Sequence, residues 1–108
     1  MSYHSDDRRT LEDWPEAKVL TIKKDCMLGN HFHKIKTEKF LLLSGEIHMI
    51  VDGVTEKMQP STLYTVLPGQ AHSFMCKSGS VLIGLCSHVY DKSDDYEISN
   101  RIELYEYE

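Results

Sequence analysis

The chain has 108 residues, and its 17 acidic and 12 basic side chains give a net charge of −5. A chain of this length is long enough to bury one core, so we expect a single domain over residues 1–108. Its core should span about residues 17–90, between a short N-terminal arm and a tail in which acidic residues outnumber basic ones by seven to two over residues 91–108. Without a basic stripe the chain lacks the means to neutralise a phosphate backbone, which excludes nucleic acid as a partner.

Hydropathy and cysteine content indicate the compartment. No apolar run approaches the ~20 residues of a membrane span, and the first nine residues lack the apolar core of a secretion signal. Cys26, Cys76 and Cys86 are odd in number and form no CxxC pair, which is typical of reduced thiols. We therefore expect a cytoplasmic protein that has no membrane partner, with Cys76 and Cys86 as small core residues.

The apolar pattern predicts an all-β domain, and its elements follow in chain order. Residues 10–15 are interpreted as a short capped turn. Alternating or continuous apolar runs then predict strands over residues 17–23, 40–43, 47–51, 54–58, 63–67, 72–76 and 80–86. The run at 40–43 is continuously apolar, as in strands that are covered on both faces. This spacing of seven or eight strands is typical of a small antiparallel barrel or sandwich.

Turn signals connect these strands. Asp52-Gly53 predicts a tight hairpin, and Pro68-Gly69 predicts a turn before the strand at 72–76. Residues 94–98 have weak helical character, and residues 101–107 alternate like an edge strand. The alternating segments at 19–22 and 102–107 would suit an isologous interface, so we expect a homodimer.

Histidines and one glutamate recur with the spacing of a metal site. His31, His33 and Glu38 form an HxH-x4-E pattern, and His72 follows 34 residues after the glutamate. Successive side chains of a strand alternate faces, so the first two histidines should project to the same side. A histidine in a strand is commonly a surface or core residue, but the combined pattern favours ligation of one divalent metal with open coordination positions.

The remaining candidates carry less signal. His4, His48 and His88 are interpreted as surface or structural residues. Tyr64 and Lys36 lie beside the metal motif and are possible bases, but a packed aromatic and a solvated turn residue are the favoured interpretations, and no catalytic base is assigned. Lys34, Lys36 and Lys39 would suit a phosphate clamp, although a solvated basic face is favoured for them as well.

At these positions the sequence resembles the cupin superfamily. Residues 29–45 are similar to its first motif and residues 67–72 to the core of its second, and the resemblance covers about residues 17–90. The resemblance implies a small antiparallel β-barrel, the jelly-roll-like double-stranded β-helix. It also implies that His31, His33, Glu38 and His72 bind a metal inside the barrel.

Two groups within that superfamily are similar over shorter segments. Residues 29–33, 37–41 and 44–45 resemble the cupin domain of capsule-polysaccharide epimerase/reductases, which uses a metal site to epimerise a keto sugar nucleotide. Residues 90–96 resemble the end of sugar-nucleotide 3,4-ketoisomerases, which generally work without a metal and lack the glutamate. Both similarities imply a carbohydrate ligand.

Three functions remain open on this basis. The favoured one is a metal-dependent isomerase or epimerase of a sugar or sugar nucleotide, in which the ion polarises a carbonyl beside the reacting C–H bond. A dioxygenase or small-acid decarboxylase would use the same ligands with a redox-active ion. A non-catalytic sugar-binding cupin would bind a ligand without turning it over. Zinc, iron, manganese and nickel all remain possible as the metal.

Overall fold

The computed structural model describes residues 2–8, 10–88, 92–94 and 96–97 and is all-β, as predicted. Besides the strands, this part of the chain contains a short 3₁₀ turn at Lys92–Asp94. The strands are β1 Ser2–Ser5, β2 Thr10–Asp13, β3 Glu16–Thr21, β4 Cys26–Phe32, β5 Glu38–Ser44, β6 Ile47–Val51, β7 Val54–Lys57, β8 Leu63–Val66, β9 His72–Cys76, β10 Val81–Cys86 and β11 Tyr96–Glu97.

The described strands form three antiparallel sheets. One sheet has the order β3-β10-β5-β8, a second has the order β11-β4-β9-β6-β7, and β1 pairs with β2. The two larger sheets share one apolar core, because Phe40 and Leu82 of the first cluster with Met49 and Phe74 of the second. This shared core makes the two sheets the opposite walls of a small barrel.

Local patterns predicted most of the strands between residues 17 and 86. β6 and β9 coincide with the predicted ranges, and β3, β5, β7, β8 and β10 differ from theirs by a few residues. In the β6–β7 turn, Asp52 and Gly53 have φ of 48° and 81°, which makes it the predicted tight hairpin of type I′.

The chain ends differ from the predictions. The interpretation of residues 10–15 as a capped turn is wrong, because Thr10–Asp13 is a strand that pairs with Ser2–Ser5. The weak helical prediction for residues 94–98 is wrong at Tyr96–Glu97, which pair as β11, while Asp94 ends a 3₁₀ turn. Residues 95 and 98 and the predicted edge strand at 101–107 lie outside the described residues.

The barrel has two chemically different ends. At the packed end, where β9 finishes, Ile47, Cys76 and Leu82 are fully buried. Cys76 and Cys86 are both buried free thiols, which confirms their prediction as core residues. At the opposite end, called the site end, β9 begins at His72 and β5 begins at Glu38. Within the described part of the chain, no helix is long and apolar enough to cross a membrane.

Candidate metal centre

Three of the predicted ligands meet at the site end. The ring centroids of His31 and His33 are 4.8 Å apart, and His72 lies 4.7 Å from the first and 5.4 Å from the second. One potential ligand nitrogen from each ring lies within 4.8 Å of those of the other two, so the three histidines are close enough to hold one metal ion. They are brought together by adjacent strands, because His31 on β4 pairs with His72 on β9.

A β-bulge directs His31 into the barrel. Leu28 pairs with Phe74 and Gly29 with Ser73, but the next pair is His31 with His72, which leaves Asn30 as the extra residue. In a regular strand the side chain following Leu28 on the inner face would be that of Asn30. Gly29 permits the bulge because its φ is +83° and a Cβ there would lie 3.1 Å from the carbonyl oxygen of His72.

Glu38 approaches from the opposite sheet. Its Oε1 atom lies 3.2 Å from Nε2 of His33 and 3.2 Å from Nε2 of His72. Burial acts to raise the pKa of Glu38, but the hydrogen bond and charge of His72, followed by the charges of Lys36 and His33, lower it to about 2. The side chain is therefore a carboxylate at neutral pH. The structure thus brings all four predicted residues to one place, with His33 just beyond the end of β4.

Hydrogen bonds fix the orientation of two of the rings. Nδ1 of His33 lies 2.7 Å from the carbonyl oxygen of Asp94, and Nδ1 of His72 lies 3.4 Å from that of Gln70. Because a carbonyl oxygen only accepts hydrogen bonds, Nδ1 carries the proton in each ring. In the neutral imidazole, Nε2 then presents a lone pair towards Glu38, which is the arrangement that metal-binding histidines use.

Two buried atoms at the centre of this group lie where a cation would fit. Nε2 of His33 and Oε1 of Glu38 are both buried without a hydrogen-bond partner, although they face each other across 3.2 Å. When the ring of His33 is neutral, two lone pairs face each other here and repel, whereas a divalent cation accepts electrons from both. Three imidazoles and one carboxylate form a donor set that suits zinc, iron, manganese or nickel, so the side chains present fit a metal.

Lys36 occupies a position that the sequence interpretation missed. It was expected to be a solvated turn residue, but it is only 5% exposed and lies in the cavity wall, with Nζ 4.0 Å from Oε2 of Glu38. The packed-aromatic interpretation of Tyr64 is confirmed, since Tyr64 packs against the core and its hydroxyl accepts a hydrogen bond from the Gln59 amide. Lys34 is exposed as expected.

Asp94 is a second residue that no local pattern identified. It is 5% exposed, and its carboxylate accepts hydrogen bonds from the backbone amides of Lys34, Ile35 and Lys36. Burial acts to raise the pKa of Asp94, but these three amides and the charge of His33 lower it. The resemblance of residues 90–96 to ketoisomerases pointed to this segment, but contacts made across about sixty residues left no local signal.

The remaining histidines take no part in the group as far as the structure describes them. His48 lies on β6 with Nδ1 3.9 Å from Glu46, and His88 is exposed beside Ser87. Both interpretations as surface or structural residues are confirmed. The His4 side chain lies outside the described part.

A cavity of about 200 Å³ adjoins the histidines. Its walls are apolar away from the site, where Leu28 and Phe74 of one sheet face Phe40 and Leu82 of the other. Such a mixture of apolar wall and a few polar groups is typical of small-molecule sites, although the volume is below the ~300–1,000 Å³ of most of them. The cavity can accept a single small ring or acid beside the histidines.

Known structures share this architecture, whereas no protein-family model and no curated protein matches the chain. The sugar 3,4-ketoisomerase QdtA from Thermoanaerobacterium thermosaccharolyticum, in complex with TDP, is 20% identical. The match has a TM-score of 0.72 and covers 92% of this chain and 85% of that one. Another QdtA structure, of a mutant, contains TDP-4-keto-6-deoxyglucose.

Two further structures extend the comparison. The 3'-monoepimerase ChmJ from Streptomyces bikiniensis, in complex with dTDP-quinovose, is 16% identical with a TM-score of 0.71, over 93% of this chain and 67% of that one. The capsular polysaccharide assembling protein CapF from Staphylococcus aureus is 23% identical with a TM-score of 0.69. Its match covers 90% of this chain but 31% of CapF, so this chain spans about a third of that protein. At these identities the similarity establishes the fold.

Proposed function

Because this chain has the cupin fold, which the similar sugar-nucleotide isomerases and epimerases share, we propose that it is a metal-dependent isomerase or epimerase of a sugar nucleotide. The observation that carries the proposal is the buried pair of His33 Nε2 and Glu38 Oε1, which face each other at 3.2 Å and lack a hydrogen-bond partner. A cation held by His31, His33, Glu38 and His72 would satisfy both atoms.

The metal would supply a Lewis acid that polarises a carbonyl group of the bound sugar. The apolar cavity wall, formed by Leu28, Phe40 and Phe74, would hold the sugar ring and exclude water from it. Since the cavity measures about 200 Å³, it would hold the ring and leave the nucleotide outside.

Lys36 provides a second charge at the same place. Its side chain lines the cavity beside Glu38, where an ammonium group would donate a hydrogen bond to an oxygen that becomes negative when a neighbouring C–H proton is removed. A buried donor aimed at such an oxygen stabilises it more strongly than a donor in water does. Lys36 is therefore the residue beside the proposed ligands that we assign to charge stabilisation.

Deuterium exchange tests the proposed reaction. Incubation with TDP-4-keto-6-deoxyglucose in deuterated water, with zinc, iron, manganese or nickel supplied, should place deuterium on a carbon next to the carbonyl. Exchange should vanish after chelation and in His33→Ala, and it should persist in His48→Ala, which removes a histidine outside the group.

Other outcomes would overturn the proposal in recognisable ways. Oxygen consumption or carbon dioxide release with small acids and iron would favour the dioxygenase or decarboxylase. Ligand binding without exchange, across a panel of keto sugar nucleotides and all four metals, would favour the non-catalytic sugar-binding module. Undiminished exchange in chelated protein would remove the metal from the mechanism.

We also propose that the protein is a homodimer that buries the outer face of the β3-β10-β5-β8 sheet. A row of apolar residues crosses this face in register, from Val19 through Ile83 and Leu41 to Leu63. Val19 and Leu63 are 69% and 54% exposed, which is costly for apolar side chains that form a continuous patch. A second copy would cover the outer face of the apolar run at 40–43.

Two matched variants test this interface. Val19→Lys should convert a dimer into a monomer in light scattering at micromolar concentration. Val54→Lys, at a 70% exposed valine on β7 of the other large sheet, should leave the dimer intact. A monomeric mass for the unmodified protein would contradict the dimer.

A further inference from the structure

The 3₁₀ turn that follows the barrel in the chain lies at the site end and forms hydrogen bonds with the loop at residues 34–36. After β10 finishes at Cys86, the 3₁₀ turn Lys92–Asp94 places the Asp94 carboxylate against residues 34–36. Oδ1 lies 2.8 Å from the Lys34 amide and 3.1 Å from the Ile35 amide, and Oδ2 lies 3.3 Å from the Lys36 amide. Three successive backbone N–H groups thus form a concave site for one carboxylate, an arrangement that normally binds anions.

The main chain of the same residue holds a proposed ligand. The carbonyl oxygen of Asp94 accepts a hydrogen bond from Nδ1 of His33 at 2.7 Å, which leaves Nε2 directed at Glu38. One residue therefore contacts both the ring of His33 and the backbone of the loop that follows it. These contacts join positions 58 to 61 residues apart in the chain.

The loop depends on these contacts for its conformation. Residues 34–36 are in neither a helix nor a strand, and the Ile35 side chain is 61% exposed and adds little packing. Lys36 nevertheless enters the cavity wall, with its Nζ 4.0 Å from Glu38. A short irregular segment keeps a buried side chain in place only if its backbone is restrained, and the Asp94 carboxylate supplies three such restraints.

We propose that Asp94 is a positioning residue. Its main-chain carbonyl group sets the tautomer and direction of His33, and its carboxylate holds the loop so that Lys36 enters the cavity. This inference rests on the proposed function insofar as the positioned groups serve a metal site. The segment around Asp94 would thus help to build the site. Residues that form hydrogen bonds with a metal-binding side chain orient that side chain, and losing one typically changes metal affinity by ~10–100-fold.

Metal affinity provides the first test. Competition with a chromophoric chelator would measure the affinity of the full chain for zinc and cobalt(II). Asp94→Ala should weaken both about 10–100-fold, and Asp94→Asn should weaken them less, because its amide oxygen still accepts hydrogen bonds from the loop. Asp25→Asn is the matched control. The carboxylate of Asp25 also accepts a hydrogen bond from a backbone amide, that of Ser78, but it lies just before β4 at the packed end. The metal affinity of this variant should equal that of the unmodified protein.

The ring tautomer provides a readout that a general loss of stability would not change. Nitrogen NMR of metal-free protein should show the neutral ring of His33 protonated on Nδ1 alone. Asp94→Ala keeps the main-chain carbonyl group but removes the carboxylate that holds this segment against the loop, so it should shift the ring to a mixture of tautomers. Asp94→Asn keeps a side-chain oxygen that accepts hydrogen bonds from the loop, so it tests the proposal if the alanine variant fails to fold.

The two proposals fail separately. If the unmodified protein binds no metal, the proposed function fails, while the tautomer of His33 still tests Asp94. Unchanged metal affinity together with an unchanged tautomer in both Asp94 variants would overturn the positioning role.

Discussion

At the packed end of the barrel, Ile47 and Cys76 are completely buried among other apolar side chains, and at the site end His33, Glu38 and His72 are between 3% and 7% exposed. Burial at the packed end removes apolar surface from water and stabilises the fold directly. Burial at the site end encloses polar atoms, and Nε2 of His33 and Oε1 of Glu38 have no hydrogen-bond partner there, which costs free energy. The apolar residues that stabilise the barrel and the residues of the candidate metal centre therefore lie at opposite ends of the same fold.

The largest expected effect lies at the packed end. Ile47→Ala should lower the free energy of unfolding by ~2–5 kcal/mol, because it leaves a cavity where Ile47 is 0% exposed. Metal affinity of the folded fraction should not change. Denaturant unfolding of metal-free protein measures the free energy of unfolding, and competition with a chelator measures the metal affinity. Val54→Ala, at a 70% exposed position, should stay within ~0.5 kcal/mol of the unmodified protein. Loss of metal affinity in Ile47→Ala would show that packing at the packed end affects the site end.

The next effect belongs to the site end and depends on pH. The pKa of Glu38 is about 2 in the fold and 4.5 in its ordinary range. A lowered pKa stabilises the folded state above pH 4.5, and this contribution, on the order of 3 kcal/mol, disappears as the pH falls from 4.5 to 2. Glu38→Gln should therefore flatten the fall in the free energy of unfolding over that pH window in metal-free protein.

An exposed carboxylate offers the control for this experiment. Glu56→Gln removes the same negative charge from β7, where the side chain is exposed. If the curves for Glu38→Gln and the unmodified protein run parallel between pH 4.5 and 2, then the charges at the site end do not stabilise the carboxylate.

The smallest effect concerns the strand that runs between the two ends. Gly29→Ala should cost ~1–2 kcal/mol, because φ is +83° there. Gly53 has nearly the same φ, of +81°, but a Cβ there would meet nothing within 4 Å, whereas at Gly29 it would press on the backbone of His72. Gly53→Ala should thus have a similar cost and keep full metal affinity, while Gly29→Ala should lose metal affinity as well. Equal metal affinities in the two variants would contradict the role of the bulge.

The sequence was sufficient where a structural cause acts locally. Apolar alternation predicted β6 and β9 to the residue, and Asp52-Gly53 identified its hairpin because few other residues adopt two successive positive φ values. The four predicted site residues do converge. The HxH spacing accounts for the shared side of His31 and His33, whereas the bulge decides that this side is the inner one. Their role as ligands stays a prediction.

Distant contacts account for what the sequence did not predict. Lys36 resembles a solvated turn residue in the sequence because lysine is rarely buried, and its burial accompanies a hydrogen bond from its backbone amide to a residue 58 positions away. The strand at Thr10–Asp13 lacks alternating apolar and polar residues, and it pairs with Ser2–Ser5. The bulge at Asn30 is likewise a matter of register with β9, which a single strand does not specify.

The contacts of Asp94 also bear on how the protein folds. The strands from β3 to β10 pair with one another without Asp94, whereas the hydrogen bond to the ring of His33 and those to residues 34–36 form only when the segment around Asp94 lies against the site end. Pairing of the strands and orientation of His33 are therefore two distinct requirements of folding. At the proposed site, metal capture would depend on the second as well as on the first.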